Sequence, residues 1–123
     1  MRKRSSKSLG FEGEELAAKF LEKLGYKILE KNYRTKFGEI DLIGIDGEAV
    51  AFIEVKLRSG KRYGNPSEAI DHKKRSQIGR VALHFLSRKK MNNFICRFDT
   101  VSLLPAEKGD YECELIKDAF RME

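Results

Sequence analysis

Cysteine is scarce in this chain. There are two, Cys96 and Cys113, too few for a disulfide framework. The two histidines, His72 and His84, form no close ligand pair with them, so the spacing does not point to zinc. Both cysteines fall in expected strands and read as structural thiols of a reducing cytoplasm. No run approaches the roughly 18 apolar residues of a membrane span. The basic start Met1-Arg2-Lys3-Arg4-Ser5-Ser6 has no apolar segment behind it, so a secretory signal is not expected. Internal repeats, low-complexity tracts and an interdomain linker are all missing. Acidic residues are missing from one long stretch: residues 72–98 hold eight bases and no acid.

What is present fits one globular domain. The chain has 123 residues, 41% of them hydrophobic and 36% charged, a composition that supports one modest core under a charged surface. The formal net charge is +6, unevenly spread. Residues 1–8 carry +4 and read as a flexible basic arm ahead of a domain over 9–123. Residues 9–71 hold ten bases and twelve acids, and residues 99–123 carry −4. A basic block of this length points either to a polyanion partner or to a solvated face.

Residues 11–24 predict an amphipathic helix, with Leu16, Ala17, Phe20, Leu21 and Leu24 on one stripe and Gly25 ending it. Strands are expected over 26–34, 38–45 and 49–57, with Asp46-Gly47 as a hairpin turn between the last two. Residues 58–64 read as a mobile basic loop. Asn65, Pro66 and Glu68 then suit the N-cap, N1 and N3 positions of a helix running to about residue 88. Its stripe is Ile70, Ile78, Val81, Phe85 and Leu86, with Lys73, Arg80 and His84 opposite. Lys74 falls inside that stripe, where it either snorkels or reaches into a site. Strands over 94–104, broken by Pro105, and 111–116 follow, with a short helical tail over 118–121. The order α-β-β-β-α-β-β predicts an α/β domain, a mixed central sheet flanked by helices. The second helix permits a parallel crossover between the third and fourth strands.

The second and third strands carry the strongest chemical signal. A turn centred on Asp46-Gly47 pairs Asp41 with Phe52 and Glu39 with Glu54. Side chains alternate faces along a strand, so Glu39, Asp41, Glu54 and Lys56 share one face. Asp41 and Glu54 become diagonal neighbours, roughly 7–8 Å apart, close enough to converge on one divalent cation. The strand around Glu54 is otherwise apolar, as a covered central strand is. A charge there is expensive and reads either as half of an ion pair near water or as a metal ligand with Lys56 beside it.

Asp41, a gap of twelve residues, and then Glu54-Val55-Lys56 resembles the motif of the PD-(D/E)xK nuclease superfamily, with Ile40 where that motif usually has proline. A longer pattern is more specific. Gly38-Glu39-Ile40-Asp41-Leu42-Ile43, then Phe52-Ile53-Glu54-Val55-Lys56-Leu57-Arg58, then Gly64 and Glu68-Ala69 before a basic helix, resembles the YraN family of small bacterial proteins. The resemblance covers about residues 8–103. It implies a restriction-endonuclease-like core, similar in layout to archaeal Holliday-junction resolvases.

The resemblance also implies roles. Asp41, Glu54 and Lys56 would be catalytic. Mg²⁺ or Mn²⁺ would be held by Asp41, Glu54 and the Val55 carbonyl, with Glu14 of the first helix completing the site, and Lys74 or Gln77 would enter from the second helix. Phosphates of a nucleic acid, expected to be DNA, would meet Arg58, Lys61, Arg62, Lys73, Lys74 and Arg75. The implied activity is a metal-dependent endonuclease or structure-selective nuclease of repair or recombination, in the cytoplasm and away from membranes. Paired incision of a symmetric junction would require a homodimer. Two other readings stand beside it: a nucleic-acid-binding module that kept the fold without the activity, and an assembly subunit whose basic block docks an acidic protein.

Overall fold

The computed structural model describes residues 6–58, 72–107 and 109–121, with the side chains of the first helix described from residue 12 onward. The elements run α1 (Ser6–Lys23), β1 (Lys27–Thr35), β2 (Gly38–Asp46), β3 (Ala49–Leu57), α2 (His72–Arg88), β4 (Ile95–Pro105) and β5 (Tyr111–Ile116). The five strands lie in one sheet in chain order. All neighbours are antiparallel except β3 and β4, which run parallel on either side of α2 in the chain. The α/β order and the parallel pair are those expected.

α1 begins at Ser6, so residues 6–8, read from sequence as part of a basic arm, belong to the helix. Its buried face is Ala17, Ala18 and Leu21, while Leu16 and Leu24 point outward at 43% and 53% exposure. The stripe is thus narrower than the periodicity predicts, because small residues set the approach of the helix to the sheet. At Gly13 an added Cβ would lie 2.8 Å from Leu103 Cδ1, so the first turns run close against β4. Gly25, at φ 100°, closes the helix. Its N–H donates to Glu22 O and that of Tyr26 to Leu21 O, both at 3.0 Å. These are the paired bonds of a Schellman motif, and they deliver Tyr26 under the sheet, where it is buried.

β3 is the central strand, buried from Ala49 to Glu54. Ala51 and Ile53 face α1 and join Leu42, Val101 and Leu103 in one core. Val50 and Phe52 face α2 and join Ile40, Ile43, Ile78, Val81, Phe85, Phe98 and Phe120 in the other. Phe52 meets Phe85 edge-on at 5.9 Å and Phe98 stacks on Phe120 at 5.0 Å, geometries aromatic pairs favour. α2 buries Ile78, Val81, Ala82, Phe85 and Leu86. His84 is not on its solvent face as expected: its Nδ1 lies 3.1 Å from the Tyr33 hydroxyl. Ile70 and the expected cap at Asn65, Pro66 and Glu68 lie outside the described residues.

Two further expectations are corrected. The β2–β3 hairpin pairs Asp46 with Ala49 and Leu42 with Ile53, two residues away from the predicted register. The turn is centred on Gly47-Glu48, with Gly47 at φ 63° and no positive φ at Glu48. Glycine in first place is the type II′ pattern, whose twist suits a hairpin. The tail after β5 is a turn at Lys117–Asp118, not a helix. Asp118 sits at φ 54°, which a right-handed helix does not accept. Its N–H donates to Asp99 Oδ1 at 2.9 Å, and the N–H of Ala119 to Phe98 O at 2.7 Å.

Candidate functional site

The β2–β3 ladder is regular as far as Leu42 and Ile53. Continued one step, that register would set Asp41 opposite Glu54, directly rather than diagonally. There the side chain of Asp41 takes the place of backbone pairing: its Oδ2 accepts the Val55 N–H at 2.8 Å. The two strands part at this end of the sheet, and the carboxyl fills the gap. Glu14 approaches it from α1, close enough for the two carboxyls to influence each other. Glu54 lies alongside on β3, 8% exposed in a strand otherwise apolar on both faces. From α2, the Lys74 Nζ forms an ion pair with Glu54 Oε2. The lysine that interrupts the apolar stripe therefore reaches into the site. Lys56, half-buried at the end of β3, follows Glu54 by two residues and by alternation shares its face.

Electrostatics set this cluster apart. Burial, and then the charge of Glu54, push the Asp41 carboxyl up to about 8, with the Val55 N–H opposing and Glu14 adding to the rise. Glu14 is also raised, first by burial, with Asp41 and Arg34 opposing and Glu39 and Glu54 adding to the rise. Near neutral pH one proton is thus held on Asp41 between two other carboxylates, the behaviour of acids crowded at one point. The donors are all hard oxygens, the kind that Mg²⁺ and Mn²⁺ prefer. Among the described residues, however, no three His, Cys, Asp or Glu side chains form a ready-made cage for a metal. A cation at this place would draw on Asp41, Glu54 and the Val55 carbonyl, with Glu14 behind them, after displacing the proton and the ammonium that now balance the charge.

The remaining residues singled out by sequence are placed as follows. Glu39 does not join the cluster's hydrogen bonds; it meets Arg34 Nε at 3.2 Å on the surface of the β1–β2 hairpin. Arg58, expected in a mobile loop, is tied to β4: its Nε donates to Ser102 Oγ and its N–H to Leu103 O, both at 2.9 Å. Lys73 is exposed on α2. Arg75 lies over the Phe120 ring at 5.7 Å. Lys61 and Arg62 lie outside the described residues.

A second polar cluster escaped the sequence reading. Asp99, with no exposed surface, accepts from the Tyr26 hydroxyl at 2.8 Å and from Arg97 Nε and Nη2 at 2.9 Å. Arg97 also reaches Asp46 at 2.8 Å, which Lys117 approaches at 3.0 Å. Burial and the Asp99 bond raise the Tyr26 phenol, while Arg97 and Lys117 hold the Asp46 carboxyl low. The signal was available: Arg97 and Asp99 sit two apart, hence on one face, in an apolar strand. Beside this cluster β4 runs on past the end of β5, and a cavity of about 450 Å³ opens, lined by Cys96, Phe98, Phe120 and Arg121 among others. Cys96 is exposed there, and Arg121 pairs with Asp118, so the charged groups there serve each other. Cys96 and Cys113 are both free thiols in strands.

The molecule is thus a small α/β domain with a mixed five-stranded sheet, a helix on each face and an acidic cluster where two strands part. No helix among the described residues is long and apolar enough to cross a membrane. A profile of the family described as "Uncharacterised protein family UPF0102" matches residues 13–103. A UPF0102 protein of Clostridium perfringens is 45% identical over 121 residues, 98% of this chain and 99% of the relative. One of Clostridium kluyveri is 44% identical over 118 residues (95% and 97%), and one of Caldicellulosiruptor saccharolyticus 43% over 117 residues (94% and 99%). The chain belongs to the UPF0102 family, the YraN-like proteins.

Proposed function

We propose that this protein is a metal-dependent nuclease of the PD-(D/E)xK type with a restriction-endonuclease-like core, hydrolysing phosphodiester bonds in DNA. The observation that carries the reading is the meeting of Asp41, Glu54 and Glu14 at the parted strands, with Asp41 pushed up by burial and by its neighbours' charge. An apolar sheet gains nothing in stability from neighbouring buried carboxylates. They make chemical sense as oxygen donors to a divalent cation.

When bound, Mg²⁺ or Mn²⁺ supplies Lewis-acid polarisation of the scissile phosphate. The protein's residues do the rest. Asp41 and Glu54 would hold the cation, and the Val55 N–H fixes which way the Asp41 carboxyl faces. Glu14 adds negative charge from α1. Lys56 sets an ammonium beside the carboxylates, where it stabilises charge developing on the phosphate or orients the attacking water. Lys73 and the bases that follow it on α2 attract the phosphate backbone without reading sequence.

A panel of Holliday junctions, flaps, nicked duplex, linear duplex and single strands, incubated with Mg²⁺ or Mn²⁺, tests this. Cleavage by the wild type that is lost in Lys56→Ala supports it, and no cleavage of any substrate under either metal overturns it. A second reading has one observation in its favour: Glu54 is already neutralised by Lys74. On that reading the protein binds nucleic acid and does not cut it, and calorimetry finds no divalent cation at the cluster.

A further inference from the structure

Glu54 and Lys74 differ in their access to water. The Glu54 side chain is 9% exposed and that of Lys74 50% exposed. The pair therefore joins a carboxylate embedded in the sheet to an ammonium standing at the mouth of the site. A buried carboxylate left without a cation is strongly destabilising, so Glu54, while ionised, needs a positive charge beside it. A divalent cation and an ammonium on the same carboxylate repel each other. They exclude one another unless the ammonium has somewhere else to go.

The described part of α2, His72–Arg88, contains no acid of its own. It contains Lys73, Arg75 and Arg80 close by, which favour an external polyanion along the same helix. Lys74 lies in the first turn of described α2, on a flexible four-carbon stem that can swing between two acceptors in a way a planar guanidinium cannot.

We propose that Lys74 is the resident counter-ion of Glu54 and is handed over to substrate. When a phosphodiester backbone docks along α2, the ammonium moves from the Glu54 carboxylate to a phosphate oxygen, and Glu54 opens to the divalent cation. The inference rests on the metal-dependent reading above and adds an order of events: the site loads fully only where nucleic acid is already present. Linkage makes the effect reciprocal, so nucleic acid tightens metal binding and metal tightens nucleic-acid binding by the same factor.

The test is a Mn²⁺ titration of the full chain, following free Mn²⁺ by electron paramagnetic resonance. It is run with and without a short phosphorothioate duplex that resists hydrolysis, and corrected for Mn²⁺ held by the duplex alone. Wild type gains about fivefold or more in Mn²⁺ affinity when the duplex is added. Lys74→Met and Lys74→Gln bind Mn²⁺ more tightly than wild type without duplex and gain less than about twofold from it. Lys23→Met, which removes the same charge from the end of α1, keeps the wild-type gain. An equal gain in wild type and both Lys74 variants overturns the hand-over while leaving the metal reading intact. Absence of Mn²⁺ binding in all the proteins overturns the metal reading and the hand-over together.

Discussion

The hydroxyl of Tyr26 donates to the fully buried carboxylate of Asp99 at 2.8 Å, joining the third residue after α1 to the middle of β4. The same carboxylate takes Arg97 and the N–H of Asp118, so one acid holds the start of the sheet and the chain's last turn together. Asp99→Ala leaves the Arg97 guanidinium without its main partner and is expected to cost about 3–5 kcal/mol. Tyr26→Phe removes one hydrogen bond of that set and costs about 1–2 kcal/mol. Urea unfolding of the three proteins gives both values, and a smaller loss for Asp99→Ala than for Tyr26→Phe contradicts this account.

On the nuclease reading, Lys56 would act on charge that develops during reaction, not on docking. Lys56→Ala is expected to lower Mg²⁺-dependent cleavage by roughly 10²-fold or more. Its Kd for duplex DNA without metal stays within about threefold of wild type, since many cations share the phosphate contacts. Single-turnover cleavage and fluorescence anisotropy separate the two effects.

Asp41 gives the protein a pH dependence of definite sign. Its carboxyl rises from 3.8 to about 8 on folding, so the folded protein holds this proton more tightly than the unfolded chain. The contribution to stability is fully present below about pH 4 and is lost as pH rises through 8. Without metal, the Tm of wild type should fall by on the order of 5 °C between about pH 6 and pH 9 relative to Asp41→Asn, which cannot ionise. Saturating Mg²⁺ removes most of that difference, because the cation replaces the proton. Parallel melting curves for the two proteins would refute the assignment.

Binding to nucleic acid should follow counter-ion release. Affinity for duplex DNA is expected to fall linearly with salt on a double-logarithmic plot. Lys73→Met weakens binding to all sequences alike and lowers the slope by about 1. An affinity that does not respond to salt would point instead to a protein partner for the basic block.

Much of the site was legible in the sequence because strand alternation is robust. The turn was placed one position early, on Asp46-Gly47 instead of Gly47-Glu48, and the register moved by two residues. A slip of two keeps every side chain on its face as far as Leu42; at Asp41 the alternation breaks, since Ile40 packs in the α2-side core and Leu42 in the α1-side core. Periodicity could not reveal that Asp41 leaves the ladder to bond the Val55 N–H, since that depends on where two strands part. Nor could it rank Ala17 and Ala18 above Leu16 and Leu24, because close approach to a sheet favours small residues over apolar ones. Lys74 was visible as an interruption of an apolar stripe. Arg97 and Asp99 carried a similar signal in β4 and were passed over, although two charges on one face of a covered strand nearly always answer each other.

The bond from Val55 to Asp41 gives the site a spectroscopic handle. A backbone N–H that donates to a carboxyl senses the charge on that carboxyl, and its hydrogen bond shortens and strengthens when the acid ionises. The Val55 amide proton should therefore move downfield with a midpoint near 8 in the metal-free protein. With a divalent cation bound the midpoint shifts to lower pH. One resonance in a ¹⁵N-labelled sample then reports occupancy of the site directly, with no substrate and no turnover required.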